Sequence, residues 1–273
     1  VCRVSISRVG TALKVILNIF AVTKIYLECT VPILTLYQRA VLSLNFKEVE
    51  IMDCWYKDVC TEKCTDACIR YKEMLMLLEQ SNIPEVKWKP VLLKPESVDY
   101  DSFCDLADYK DNIKSHIESG HNLAILSENT GNGKTTWAIK LMLRYFNEIW
   151  AGNGFRCRGI FINVPTFLAT VKLQIEKKSI SVSTMLDNLS KVDLVIWDDI
   201  ASTKLTAYEH SQLLNYIDQR ILTEKSNIFT GNIVSESALQ NALGARLASR
   251  VLSSQIIELK GRDRRYGTVA NNL

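Results

Sequence analysis

Beyond Asp99 the chain switches back and forth between two hydrophobic patterns. The short apolar run Leu123–Leu126 predicts a buried strand, and the apolar-rich stretches Gly159–Val164, Asp193–Trp197, Ile228–Thr230 and Gln255–Leu259 predict four more. Between them apolar residues recur at helical spacing. Trp137, Ala138, Leu141 and Tyr145 form one stripe over Lys134–Phe146, and Leu214, Ile217 and Ile221 another over Ala207–Leu222. Thr166–Lys178 predicts a helix with a basic end, following a strand that Pro165 stops. Thr206 with Glu209 three positions on predicts a capping box at the start of the 207–222 helix. Strands alternating with helices predict an α/β fold with a parallel sheet covered on both faces.

Upstream the pattern changes. Tyr71–Gln80 reads as a helix. Pro84, Pro90 and Pro95 then fall within Ser81–Glu96, too dense for a helix or a central strand, and predict a linker over 81–98. The expected organisation is therefore a Cys-rich segment over 52–80, the linker, and an α/β domain over 99–273. Residues 1–51 lack turn punctuation, and the first methionine is Met52. Lys47-Glu48-Val49 is what a purine-rich AAG-GAG-GTN ribosome-binding tract encodes when it is translated. Residues 1–51 are thus expected to be a translated leader, an ordinary N-terminal extension being the alternative. Residues 11–46 are apolar but broken by Lys14, Lys24, Glu28 and Arg39, so no membrane-spanning helix is expected.

Charge narrows the partners. Net charge is +3, and residues 1–51 carry all of it, with six Lys/Arg against three Asp/Glu. The rest of the chain balances at 27 of each sign, so nucleic-acid contact must come from local patches. Lys172, Lys177 and Lys178 form one candidate patch, and Arg156 with Arg158 another; both suit sequence-blind phosphate contact. With 47% apolar residues the chain has enough core to fold without a disulfide framework, and its eight cysteines are read in a reducing cytosol. Cys54, Cys60, Cys64 and Cys68 lie close together. Four thiolates suit tetrahedral zinc, or an iron–sulfur cluster, although the spacing is not the paired C-x2-C.

The chemistry centres on Asn129-Thr130-Gly131-Asn132-Gly133-Lys134-Thr135-Thr136, placed after a strand and opening a helix. That placement identifies a phosphate-binding loop. Gly131 and Gly133 let the backbone N–H groups turn inward, the helix start adds its positive end, Lys134 reaches the β- and γ-phosphates of ATP, and Thr135 binds Mg²⁺. Glu128 stands where the loop pattern has its first glycine, and its carboxylate would repel a triphosphate unless it faced outward. Leu194–Trp197 ends in Asp198 and Asp199. In such sheets ligands sit beyond the carboxyl ends of the strands, which predicts Asp198 as a magnesium ligand and Asp199 as the base that orients water. Asn232 ends the next strand and is placed to hold that water. Arg246 and Arg250 share a helix face, and Arg262, Arg264 and Arg265 cluster near the end.

Taken in order, Gly-Asn-Gly-Lys-Thr, Trp-Asp-Asp-Ile, Phe-Thr-Gly-Asn, Leu-Gly-Ala-Arg-Leu-Ala-Ser-Arg-Val and Gly-Arg-Asp-Arg-Arg resemble the DnaC/DnaI-type helicase loaders of the AAA+ ATPases, over roughly residues 99–267. The resemblance implies a P-loop NTPase fold of the AAA+ type and a slow, switch-like ATPase. By it Asn232 is the sensor-1 residue, Arg250 the arginine finger with Arg246 second, and Arg265 the sensor-2 arginine. It further implies head-to-tail self-assembly through that finger, a DnaB-type replicative helicase and single-stranded DNA as partners, and a bacterial cytoplasm, with a phage or prophage origin in view. DnaI-type loaders carry an N-terminal zinc domain, a role the four cysteines are placed to take. Two alternatives stand beside this: an IstB-type transposition-targeting ATPase, and a nucleotide-dependent adaptor in which Glu128 prevents turnover.

Overall fold

A computed structural model describes Cys60 and residues 68–266, apart from Pro90, Phe155 and 177–179. The expectation for residues 1–51 lies outside the described residues. In chain order the elements are α1 (Ile69–Gln80), α2 (Tyr100–Asp111), α3 (Ile113–Glu118), β1 (Leu123–Leu126), α4 (Lys134–Ile149), β2 (Gly159–Asn163), α5 (Val164–Glu176), α6 (Ile180–Leu189), β3 (Leu194–Asp198), α7 (Ala207–Leu222), β4 (Ser226–Gly231), α8 (Glu236–Leu243), α9 (Ala245–Leu252) and β5 (Gln255–Glu258). Short 3-10 turns lie at Glu85–Lys87, Ser97–Asp99 and Arg264–Tyr266.

The five strands form one sheet in the order β2-β3-β4-β1-β5, and every pair is parallel. The unbroken apolar runs have their reason here: β1 and β3 are buried along their whole length, between helices on both sides. Successive side chains point to opposite faces. Leu123, Ile125, Ile196 and Ile228 join one layer with α1, α2, α3 and α4. Ala124, Leu126, Val195, Trp197 and Phe229 join the other with α5, α7, α8 and α9. The predicted 71–80 helix starts two residues earlier and buries Met74, Leu77 and Leu78 in the first of these layers. Residues 81–98 run between α1 and α2 with two 3-10 turns.

Two local differences from the sequence reading have clear causes. Pro165 does more than stop β2: it sits in the first turn of α5, where a missing N–H costs nothing. Asn163 Oδ1 accepts there from Thr166 N (3.3 Å) and Thr166 Oγ1 (2.8 Å). Helices α3, α6 and α8 span 6, 10 and 8 residues, too few turns for a helical period to stand out in the sequence, and α2 buries Phe103, Leu106 and Tyr109 among acidic residues. The predicted capping box of α7 is present, with Glu209 N donating to Thr206 Oγ1 (3.3 Å) and Thr206 N to Glu209 Oε2 (2.8 Å).

One buried cation organises the back of the sheet. Arg220 of α7 is fully buried. It donates to Leu189 O, Val192 O, Asp193 O, Ser226 O and Asn227 Oδ1, tying the starts of β3 and β4 to α6 and α7. Burial lowers its pKa to about 9. Beside it Asp193 pairs with Arg158 and with Lys225 (3.0 Å), and accepts from Tyr145 Oη (3.0 Å). Arg158, expected as a DNA contact, is therefore committed to this ion cluster. No helix among the described residues is long and apolar enough to cross a membrane.

Candidate functional site

β4 lies between β1, which leads into the glycine-rich loop, and β3, which ends in the acidic pair. This order brings three strand ends together. Ser127 N donates to Gly231 O (3.1 Å), fastening the start of the loop to β4. Asn129 N (2.9 Å) and Asn132 Nδ2 (2.6 Å) both donate to Ser127 Oγ, so the loop curls back on its own first residue. Gly131 and Gly133 have φ of +67° and +106°, a region costly for any residue with a Cβ. Gly133 is the residue from which α4 springs.

Lys134 fills the curl. Its side chain is buried, and its Nζ donates to Asn129 O (2.6 Å) and Asn132 Oδ1 (3.0 Å). Burial lowers its pKa, against the pull of Asp199 and Asp198. Thr135 Oγ1 donates to Asp198 Oδ1 at 2.7 Å, so the loop and the acidic pair, 63 residues apart, meet directly. Asp198 is buried. Among the described residues Asp199 is one of three non-glycine residues with positive φ, at +58°. Its pKa is raised by burial and then by the neighbouring Asp198. Thr136 stands in the first turn of α4, and Asn232 directly follows β4. Glu128 is exposed at the start of the loop.

Two features were not foreseen. Thr230 on β4 donates from Oγ1 to Asp198 Oδ1 (2.7 Å) and accepts from Asp199 N (3.1 Å). In sequence it is an ordinary strand threonine. The second is the segment after β5, which is laced onto the loop. Asn132 Nδ2 donates to Leu259 O (3.1 Å), Asn129 Nδ2 to Lys260 O (2.8 Å), Arg264 N to Gly131 O (3.0 Å) and Arg264 Nε to Asn132 O (3.1 Å). Asp99 anchors that segment by accepting from Lys260 N (2.6 Å).

Arg265 reaches the loop through an intermediary. It forks onto Asp263 (Nε–Oδ1 3.0 Å, Nη2–Oδ2 2.7 Å), whose carboxylate lies against Gly131 and accepts from Thr130 Oγ1 (3.3 Å). The Arg265 guanidinium and backbone N–H hold the Asp263 carboxyl down at about 2. Arg250 is not at this site: within the chain it pairs with Asp218 of α7 at 2.6 Å, and Arg246 stands exposed on the same helix. Of the cysteines, Cys60 is exposed and Cys68 half-buried. Cys54 and Cys64 lie outside the described residues, as do Lys177 and Lys178 of the basic patch. Among the described residues no group of three or more His, Cys, Asp or Glu is placed to hold a metal ion.

A positive-φ loop of N–H donors, a buried ammonium, a hydroxyl and two carboxylates at the carboxyl end of a parallel sheet suit a triphosphate with a divalent cation. No family model matches the sequence, and no curated protein matches it. Among solved structures the chain is similar to the DnaC helicase loader, at 16% identity over 65% of this chain and 100% of that one, with a TM-score of 0.55. It is similar to DnaI at 17% identity over 65% of this chain and 95% of that one, with a TM-score of 0.52. A DNA replication initiation factor matches at 16% identity and a TM-score of 0.50, covering 66% of this chain but 51% of its own. At these identities the likeness is one of fold. The chain has a five-stranded parallel sheet flanked by helices, with a phosphate-loop-like turn after β1, in the fold seen in DnaC and DnaI.

Proposed function

We propose that this chain is an ATP-dependent loader that places a DnaB-type replicative helicase on single-stranded DNA, with ATP hydrolysis acting as its switch. The observation that carries the nucleotide half of this reading is the 2.7 Å bond between Thr135 of the loop and Asp198 of the acidic pair, beside the buried Lys134. The loader half is supported by the fold shared with DnaC and DnaI, together with the five ordered motifs.

In this reading the N–H groups of Gly131 to Thr136 cradle the phosphates, and Lys134 transfers its donors from Asn129 O and Asn132 Oδ1 to phosphate oxygens. Thr135 and Asp198 are the residues that would hold Mg²⁺, which when bound neutralises phosphate charge. Asp199 accepts a proton from the attacking water, which its raised pKa suits, and Asn232 orients that water. Arg265 leaves Asp263 for the γ-phosphate. Arg250, released from Asp218, serves the site of a neighbouring copy, which makes assembly head-to-tail.

The test uses the purified chain and its Lys134→Ala variant. Wild type is expected to bind ATP, to hydrolyse it slowly with a response to single-stranded DNA, and to co-purify with the replicative helicase. Lys134→Ala is expected to lose ATP binding. Absence of ATP affinity in wild type would sink the ATPase reading, and absence of helicase association the loader reading.

A further inference from the structure

We propose that Thr230 is a positioning residue for the acidic pair and that its hydroxyl governs the rate of hydrolysis without touching nucleotide. The inference rests on the ATP-hydrolysing reading above and adds to it a residue whose role the motif resemblance does not assign.

The hydroxyl has one proton and spends it on Asp198 Oδ1 at 2.7 Å; a lone pair of the same oxygen takes the N–H of Asp199 at 3.1 Å. The backbone oxygen of Thr230 accepts from Ile200 N at 2.9 Å. Three consecutive residues, 198 to 200, are thus hung on one residue of the adjacent strand. The two strands stay in register up to the preceding pair, Trp197 opposite Phe229. At Asp199 the backbone then swings to φ +58°, which costs an L-residue energy and persists only where its surroundings hold it. The Thr230 hydroxyl supplies a partner for the Asp199 N–H within that turn. Since Asp198 and Asp199 are adjacent, the turn sets where one carboxylate stands relative to the other. Thr230 itself is fully buried, so it acts through the aspartates.

Asp198 Oδ1 has a second donor in Thr135, but that hydroxyl belongs to the loop and is needed by the ligand. Thr230 is the donor on the sheet side, and it keeps Asp198 oriented when Thr135 turns away. A purely structural hydroxyl, there only to satisfy a strand end, would affect stability and leave the chemical step alone. The two roles therefore separate experimentally.

Thr230→Val keeps the shape and removes both hydroxyl bonds. The expected result is a kcat ~10- to 100-fold lower, as for loss of one to two buried hydrogen bonds, with the ATP Kd within about threefold of wild type. Thr230→Ser restores the hydroxyl and is expected to stay within about threefold of wild-type kcat. Should Thr230→Val not fold, Thr230→Cys carries the same expectation, its thiol being a poor donor of similar size. Unchanged turnover in Thr230→Val or Thr230→Cys, or a fall in Thr230→Ser as deep as theirs, overturns the proposal. So does an affinity loss that tracks the turnover loss. Wild-type protein that neither binds nor hydrolyses ATP overturns the parent reading and this one with it; normal wild-type turnover matched by Thr230→Val overturns this one alone.

Discussion

Adding one methyl group at Gly131 tests whether the loop's shape, rather than its composition, makes the site. Gly131 sits at φ +67°, and a Cβ built on it would lie 1.9 Å from Asp263 Oδ1 and 2.2 Å from its Cγ. Gly152 provides the control: its φ is +74°, and a Cβ there meets nothing within 4 Å. Both substitutions to Ala incur the left-handed penalty of ~1–2 kcal/mol, offset by ~0.4–1 kcal/mol through the unfolded chain. The net loss is roughly 1 kcal/mol, or a Tm about 2–4 °C lower for a domain of this size. At Gly131 the carboxylate must also swing out, breaking its fork with Arg265 and its bond to Thr130. Those groups lie at the surface, so the added cost to stability is small. The cost to the site is not small, because the strained backbone and the displaced Asp263 both border the N–H groups proposed to hold phosphate. Loss of one charge-assisted bond of ~1.5–3 kcal/mol weakens ATP binding ~10- to 100-fold. Thermal melts and titration with a fluorescent ATP analogue measure both quantities. Gly131→Ala and Gly152→Ala are expected to melt within a few degrees of each other, with ATP affinity lost only in the first. Equal ATP affinity in the two variants would refute the placement of phosphate against this loop.

Asp199→Asn is expected to abolish turnover yet raise the Tm of the nucleotide-free protein at pH 8. The folded-state pKa of Asp199 is raised by burial and by Asp198, so its charge destabilises the fold once pH rises above that value; the gain should vanish as pH falls below the ordinary carboxylate range. For the same reason wild-type kcat should fall on acidification at a pH above that range, and a flat profile would remove Asp199 as the base. Arg220→Met leaves Leu189 O, Val192 O, Asp193 O, Ser226 O and Asn227 Oδ1 without their shared donor, and is expected to cost ~3–5 kcal/mol in chemical denaturation. A loss below ~1 kcal/mol would mean those carbonyls find other partners. Thr206→Ala breaks the α7 capping box at about 1 kcal/mol and is expected to leave ATP affinity unchanged; calorimetry and the same titration check both halves.

The sequence alone determined the features written in local hydrogen bonding and periodicity. Runs buried on both faces announced β1 and β3, the Thr206–Glu209 spacing announced the start of α7, and a Gly-Asn-Gly-Lys-Thr stretch between strand and helix announced the loop, because each depends on neighbours within a few residues. Only the tertiary structure decided what crossovers bring together. It inserted β4 between the loop strand and the acidic strand, which turned Thr230 from a strand former into the partner of Asp198 and Asp199. It folded the chain after β5 onto the loop, so that Asp263 stands between Gly131 and Arg265. It also drew Arg158 into an ion pair with Asp193 and Arg250 into one with Asp218. A side chain's partners across 30 or 130 residues follow from strand order and register, and neither is encoded in the spacing of residues along one element.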